Sequence, residues 1–212
     1  MIYFVLPAFN EELNILTLLN NFNNFFVKNK FFSNIKVVVV DDGSKDNTKK
    51  ILTKIDREKK IFENKLSFEL INIFHETNRG LGGAIKTGMT YCFNNGNDED
   101  IIITMDCDNS HTIDLCKEMI NVLLEGNDVV IASRYKKNSG IIGLSFYRKF
   151  LSDLGSLIFK ITFPIKNVKD YTCGYRAFRL KKIKEAWKND EYFFSEKGFT
   201  VSLDIILKLF KF

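Results

Sequence analysis

The sequence predicts an α/β fold with a mostly parallel central sheet flanked by helices, and three observations carry the prediction. Short apolar segments alternate with longer helical ones as far as Ser133, the order that builds a parallel sheet. Most of the short segments are unbroken apolar runs, which a sheet covered on both faces requires. Polar clusters fall at the ends of these runs, where open α/β sheets bind their ligands.

The first strand is residues 2–6, an apolar run closed by Pro7. Residues 11–29 place Leu13, Leu16, Leu19 and Phe22 or Phe26 at helical spacing, so a helix is expected there. Residues 35–40 are a second strand, stopped by Asp41-Asp42-Gly43-Ser44. A helix over 46–64 and a third strand over 66–74 follow. Residues 78–95 are a glycine-rich turn running into a helix. The fourth strand, 101–105, ends at Asp106; a helix over 112–125 and a fifth strand over 128–133 come next. After Arg134 the pattern changes to a helix over 146–163 and a strand-like stretch over 170–178 that contains Gly174. Helices over 180–188 and 195–212 complete the reading. No linker or repeat interrupts the chain, so residues 1–212 read as one domain.

Composition narrows the partners. A chain of 212 residues, 45% hydrophobic and 27% charged, can bury a full core without staples. Its net charge of +5 suits a phosphate-bearing substrate or an anionic membrane surface, and suits a plain soluble domain equally. The basic residues form no long arm, which argues against nucleic acid as a partner. Cys92, Cys107, Cys116 and Cys173 form no C-x-x-C pair, so they read as reduced thiols of a cytoplasmic protein. The N-terminal apolar run lacks a basic flank and is too short for a signal peptide. Nothing approaches the roughly 18 consecutive apolar residues of a membrane span.

Three motifs carry chemistry. Asp106-Cys107-Asp108 sets two carboxylates at a strand end, where both can face one Mg²⁺ or Mn²⁺ ion together with substrate phosphates. The same spacing also makes a solvated turn that caps the next helix. Asp41 at another strand end can hydrogen-bond a nucleotide base or ribose, and Asp-Asp-Gly-Ser is equally a turn with a helix cap. The segment from Asn78 to Gly88 has neither Walker nor G-x-G-x-x-G spacing. Its small residues Gly80, Ala84 and Gly88 recur every four positions, which favours a smooth helix face packed on the sheet.

Together LPAFNEE, VVVVDDGSKDNT, NRGLGGAIKTGM, MDCDNSHTID, ASRY and DYTCGYRAF resemble family 2 glycosyltransferases, and most closely the polyprenol (dolichyl) phosphate mannose and glucose synthases. The motifs stand in that family's order over nearly the whole chain. The resemblance implies a GT-A-type nucleotide-diphospho-sugar transferase fold, with a nucleotide-binding half over 1–110 and an acceptor half over 111–212. It implies that Pro7, Phe9 and Glu11 line the nucleotide site and that Val39 and Asp41 hold base and ribose. Asp106 and Cys107 would contact the nucleotide, Asp108 would carry the metal beside Asp106, and Ser110 stands where such synthases often place a Gln near the ion. Arg134 would bind phosphate of donor or acceptor. Arg148, next to Lys149, would receive the acceptor phosphate, a task that suits a planar guanidinium. Asp108, Arg134 and Arg148 are thus the expected catalytic set.

The implied donor is of the GDP-mannose or UDP-glucose type, the implied acceptor a polyprenyl phosphate. The acidic pair and Q-x-x-R-W block that supply a base in many relatives are not present here. An acceptor that is already an anion needs no base, so this favours a phosphate acceptor. Asp204 stands where relatives often carry an acidic residue, and no base role is assigned to it. The 146–163 helix, with Arg148, Lys149 and Lys160, suits either the cytoplasmic membrane face or core packing. Relatives usually continue beyond the last helix with a further basic segment, which this chain is expected to lack. Two other readings remain: a family 2 transferase acting on a glycan hydroxyl, and a member that binds sugar nucleotides without turnover.

Overall fold

The computed structural model describes residues 1–29, 34–58, 66–133, 159 and 161–211. Its strands are β1 (Ile2–Ala8), β2 (Ile35–Asp41), β3 (Glu69–Phe74), β4 (Ile101–Thr104), β5 (Val129–Ile131) and β6 (Arg176–Arg179). Its helices are α1 (Ile15–Lys28), α2 (Thr48–Glu58), α3 (Gly80–Asn95), α4 (Leu115–Leu124), α5 (Leu180–Asn189) and α6 (Val201–Lys211).

The six strands form one sheet in the order β3-β2-β1-β4-β6-β5. β1 lies parallel to β2 and β4, and β2 parallel to β3. β6 is antiparallel to both β4 and β5. The expected α/β class and mostly parallel sheet are therefore present, with an inserted antiparallel strand.

The apolar runs are continuous because each strand feeds two cores. On one face Phe4, Leu6, Val37 and Val39 pack against Leu19, Phe22 and Phe26 of α1, Leu52 of α2 and Met119 of α4. On the other, Tyr3, Val5, Val38 and Val40 pack against Ala84 and Met89 of α3, Ile183 of α5 and Ile205 of α6. Burying each such side chain stabilises the fold by about 1.5–3 kcal/mol before chain entropy is subtracted. Phe4 meets Phe22 and Phe26 edge-on at 5.0 and 5.7 Å between ring centroids, the arrangement that the ring quadrupoles prefer.

Four expectations need correction. The last helix begins at Val201 and not at 195, and β3 begins at Glu69 and not at 66. Residues 11–14 are not part of the first helix, because their backbone and side chains build the loop described below. Starting at Ile15, α1 buries Ile15, Leu18, Leu19, Phe22, Phe25 and Phe26. Leu13 is left 86% exposed and Leu16 lies on the outer face. The stretch 170–178 is strand only from Arg176 onward. The small face of α3 packs on the sheet at Ala84 and Gly88, where a Cβ on Gly88 would lie 2.4 Å from Val5 Cγ1, but Gly80 instead faces the Lys197 carbonyl oxygen, 2.5 Å from where its Cβ would stand. No helix among the described residues is long and apolar enough to cross a membrane.

Candidate active site

Parallel pairing puts the carboxyl ends of β1 and β2 side by side, with Ala8 opposite Asp41. The loops that follow are stitched together by six hydrogen bonds. Asn10 N–H donates to Ser44 Oγ at 2.9 Å, and Lys45 N–H returns to Asn10 Oδ1 at 2.9 Å. Glu11 N–H donates to Thr48 Oγ1 at 2.8 Å, and Glu12 N–H to Asp46 Oδ2 at 3.0 Å. Asn47 donates its N–H and its Nδ2 to Glu12 Oε2 at 2.9 and 2.7 Å. The loop turns through Asn10 at φ 58°, a left-handed conformation that Asn tolerates. Gly43, at φ 70°, allows the second loop to press on the next one; a Cβ there would lie 2.7 Å from the Thr77 carbonyl carbon.

Asp41 is fully buried at the head of this crevice. Its Oδ1 faces the Ser44 N–H at 3.4 Å, while its Oδ2 is buried without a hydrogen-bond partner. An unsatisfied buried carboxylate oxygen costs free energy that a donor on a ligand would recover. A ribose hydroxyl or a base N–H has the required chemistry.

The acidic end lies across the crevice. β4 stops at Thr104, and Asp106 and Asp108 follow on an open turn with Asp108 exposed. Burial raises the Glu11 carboxyl above the ordinary carboxylate range; an Asn14 amide donating to Oε2 at 2.8 Å opposes this, and Asp108, Asp46 and Asp106 push it further up. Glu11 therefore senses both carboxylates of the D-x-D turn. A divalent cation would relieve that repulsion, and hard carboxylate oxygens are the donors that Mg²⁺ and Mn²⁺ take, so the residues fit the ion. Among the described residues no three His, Cys, Asp or Glu side chains form a closed cage. An ion on Asp106 and Asp108 would thus complete its shell with phosphate oxygens and water.

Gly174 makes room for Asp106: a Cβ there would stand 3.2 Å from both carboxylate oxygens. Thr104 Oγ1 anchors this stretch by donating to Gly174 O at 2.7 Å. Beneath it lies a buried guanidinium. Arg176 donates Nε to Cys173 O and one terminal nitrogen to Tyr171 O, each at 2.7 Å, and the other to Ser202 O. Burial pulls its pKa down to about 10, against the opposing pull of Cys173 and Asp170. Its charge is satisfied by carbonyls, which fixes the DYTCG stretch under Asp106.

The expected residues thus divide by position. Pro7, Phe9, Glu11, Asp41, Asp106 and Asp108 lie at the strand ends, with Phe9 41% exposed at the rim. Ser110 reaches Asp108 through its backbone, its N–H donating to Oδ1 at 2.9 Å. Its residue also borders an open groove of about 620 Å³ between α1 and residues 109–114. The Val39 side chain is in the core, two residues short of the strand end, so a ligand can meet only its backbone. The Cys107 side chain is likewise in the core, where burial raises its thiol pKa well above the usual value, so a nucleotide can meet only its backbone. Arg134, Arg148, Lys149 and most of the 146–163 segment lie outside the described residues.

Three residues near the site were missed by sequence reasoning. His111 holds Nε2 3.7 Å from Asp106 Oδ2 and leans on Tyr175 at 5.3 Å between rings. His75 bonds Asp42 behind the Asp41 loop. Arg176 read as part of a motif and not as a buried staple. Isolated residues of this kind carry no periodic signal; only the tertiary fold shows what they touch.

Residues 3–187 match the family described as Glycosyl transferase family 2. The chain is 32% identical over 189 residues to a UDP-N-acetylglucosamine–dolichyl-phosphate N-acetylglucosaminyltransferase of Methanococcus voltae, covering 87% of this chain and 71% of that one. It is 26% identical over 205 residues to a dolichol-phosphate mannosyltransferase of Pyrococcus furiosus, covering 96% of this chain but 51% of the relative. Among solved structures, glucosyl-3-phosphoglycerate synthase of Mycobacterium tuberculosis, in complex with Mg²⁺ and UDP, superposes with a TM-score of 0.64 at 16% identity. That likeness covers the whole of this chain and 65% of the other, and it shows the fold. The stitched strand-end crevice, the D-x-D turn and the match over residues 3–187 lead to one conclusion: this chain belongs to glycosyl transferase family 2.

Proposed function

We propose that this protein transfers a hexose from a nucleotide-diphosphate sugar to a polyprenyl or dolichyl phosphate at the cytoplasmic membrane face. The observation that carries the reading is the pairing of two unmet needs in one crevice: the orphaned Asp41 Oδ2, and the crowded carboxylates of Glu11, Asp106 and Asp108. A nucleotide donor answers both, one with its base or ribose and the other with a cation-bound diphosphate. Relatives named for dolichyl-phosphate sugar transfer support the acceptor class.

In this mechanism a phosphate oxygen of the acceptor attacks the anomeric carbon. The bond from that carbon to the diphosphate breaks, and the nucleoside diphosphate leaves. Asp41 holds the nucleoside, with Pro7 and Phe9 at the crevice wall. Asp106 and Asp108 would hold Mg²⁺ or Mn²⁺, which would supply charge neutralisation for the leaving diphosphate. Glu11 sets the field around that pair. Arg134 and Arg148 are the proposed phosphate contacts, in an acceptor half that begins at residue 111. No side chain need take a proton from an acceptor that is already an anion. Asp204, to which no base role is assigned, pairs with Lys208 at 2.7 Å.

Thermal stabilisation by GDP- and UDP-sugars, with and without Mn²⁺, tests the donor half. A ligand at a hundredfold its Kd adds about 2.7 kcal/mol to stability. The expected result is stabilisation by one nucleotide class, dependent on the ion and lost in Asp108→Ala. Equal stabilisation of wild type and variant would contradict the metal assignment, and none at all would contradict the donor site.

A further inference from the structure

Behind the Asp41 loop stands a buried polar chain that the transfer reaction does not use. Asp42 is 3% exposed and His75 5% exposed. His75 Nδ1 lies 2.6 Å from Asp42 Oδ1, and the same oxygen accepts the Arg79 N–H at 2.8 Å. On its far side His75 Nε2 lies 2.9 Å from Thr87 Oγ1. The His75 backbone N–H also donates to the Asp41 carbonyl at 2.9 Å. A carboxylate only accepts, so the ring proton on Nδ1 faces Asp42 and Nε2 faces the Thr87 hydroxyl.

The order hydroxyl, imidazole, carboxylate resembles a nucleophilic relay, but its placement serves another purpose. Thr87 is on the second turn of α3, half-buried against its own sheet. What the imidazole does join is the end of β2, the end of β3, the start of α3 and the interior of α3. Gly43 packs directly on the Thr77 and Asn78 backbone, so any shift of residues 75–79 is passed to the Asp41–Gly43 turn.

We infer that His75 is a positioning residue of the nucleotide site, holding Asp42 and the 75–79 loop, and through them the Asp41–Gly43 turn against which the nucleoside would bind. This rests on the donor-site reading above and adds a residue and a role to it. Buried networks whose members are all satisfied rigidify what they touch, and sites held by such supports lose affinity when these are cut.

The test compares wild type with His75→Leu, His75→Asn and Thr87→Val by titration calorimetry. The probes are GDP, UDP and Mn²⁺-pyrophosphate. His75→Leu is expected to weaken the preferred nucleoside diphosphate at least tenfold while Mn²⁺-pyrophosphate binding stays within about twofold, because only the nucleoside end depends on the chain. His75→Asn keeps a donor near the Nδ1 position and should recover most of the loss. Thr87→Val cuts only the outer link, keeps the helix and should lose about threefold, which decides the matter even if His75→Leu does not fold. Parallel loss of nucleotide and pyrophosphate binding, or nucleotide binding unchanged in folded variants, overturns the inference. Failure of wild type to bind GDP or UDP would overturn the donor-site reading, and the role of His75 with it.

Discussion

Glu11 and Asp41 are two carboxylates that the fold holds in unfavourable surroundings, and each bears on ligand binding. Glu11 is raised by burial and by its acidic neighbours. A group that binds its proton more tightly when folded contributes stability in acid, and that contribution is lost as pH rises through its raised pKa. At neutral pH the ionised Glu11 therefore works against the fold. Glu11→Gln should raise the Tm of the ligand-free protein at pH 7 by about 1–2 °C, a gain that vanishes in acid, where the carboxyl is protonated. The same variant should weaken ion-dependent nucleotide binding about tenfold. Calorimetry across pH, with and without Mn²⁺ and nucleotide, reads both effects; a variant less stable at neutral pH and unchanged in binding would contradict the role given to Glu11. At this scale the sequence makes part of the site readable. Asp41, Asp106 and Asp108 stand at strand ends in recognisable order, so pattern and topology find them. His75 and His111 gain their meaning from neighbours brought near by the sheet, and no spacing rule reports that.

Among the elements, the strands were more legible than the helices that bind loops together. β1, β2 and β4 are unbroken apolar runs, and both cores need them to be. α1 begins four residues later than expected, because Leu13, Ile15, Leu16, Leu18 and Leu19 supply two overlapping stripes. The choice between them is made by the loop: Glu11 and Glu12 are bonded to the β2 loop and Asn14 to Asn109 beyond the acidic turn, so the helix begins at Ile15. β6 was only half-read, since its pairing partners β4 and β5 are distant in sequence and it carries a buried charge at Arg176. The glycine spacing of α3, by contrast, reported a packing constraint directly. Ala for Gly inside a helix ordinarily gains about 0.5–1 kcal/mol. At Gly88 the clash with buried Val5 reverses the sign, and overpacking costs about 1–3 kcal/mol. Gly88→Ala should therefore lower Tm by several degrees, and a denaturation midpoint at or above wild type would show that the α3–sheet contact is looser than described.

For the molecule as a whole, the sheet does one thing for function: it gathers the loops after β1, β2, β3 and β4 at one edge. The loops after β1 and β2 are locked to each other, the loop after β3 is locked to β2 by His75, and the turn after β4 is cushioned by Gly174 and Arg176. The result is a crevice of mutually bonded loops, which the proposed function would fill with a nucleoside, a cation and a diphosphate. Its acceptor side depends on Arg134 and Arg148, which sequence resemblance alone proposes.

The most direct measurement is transfer itself. The chain is incubated with labelled GDP-mannose, UDP-glucose or UDP-N-acetylglucosamine, Mn²⁺ or Mg²⁺, and a polyprenyl phosphate in detergent, and the organic phase is counted. Lipid-linked label is expected from one donor class, dependent on the ion and reduced by at least about a hundredfold in Asp108→Ala. Label released as free sugar, or passed to a glycan hydroxyl while the lipid phosphate stays unmodified, would contradict the proposed function.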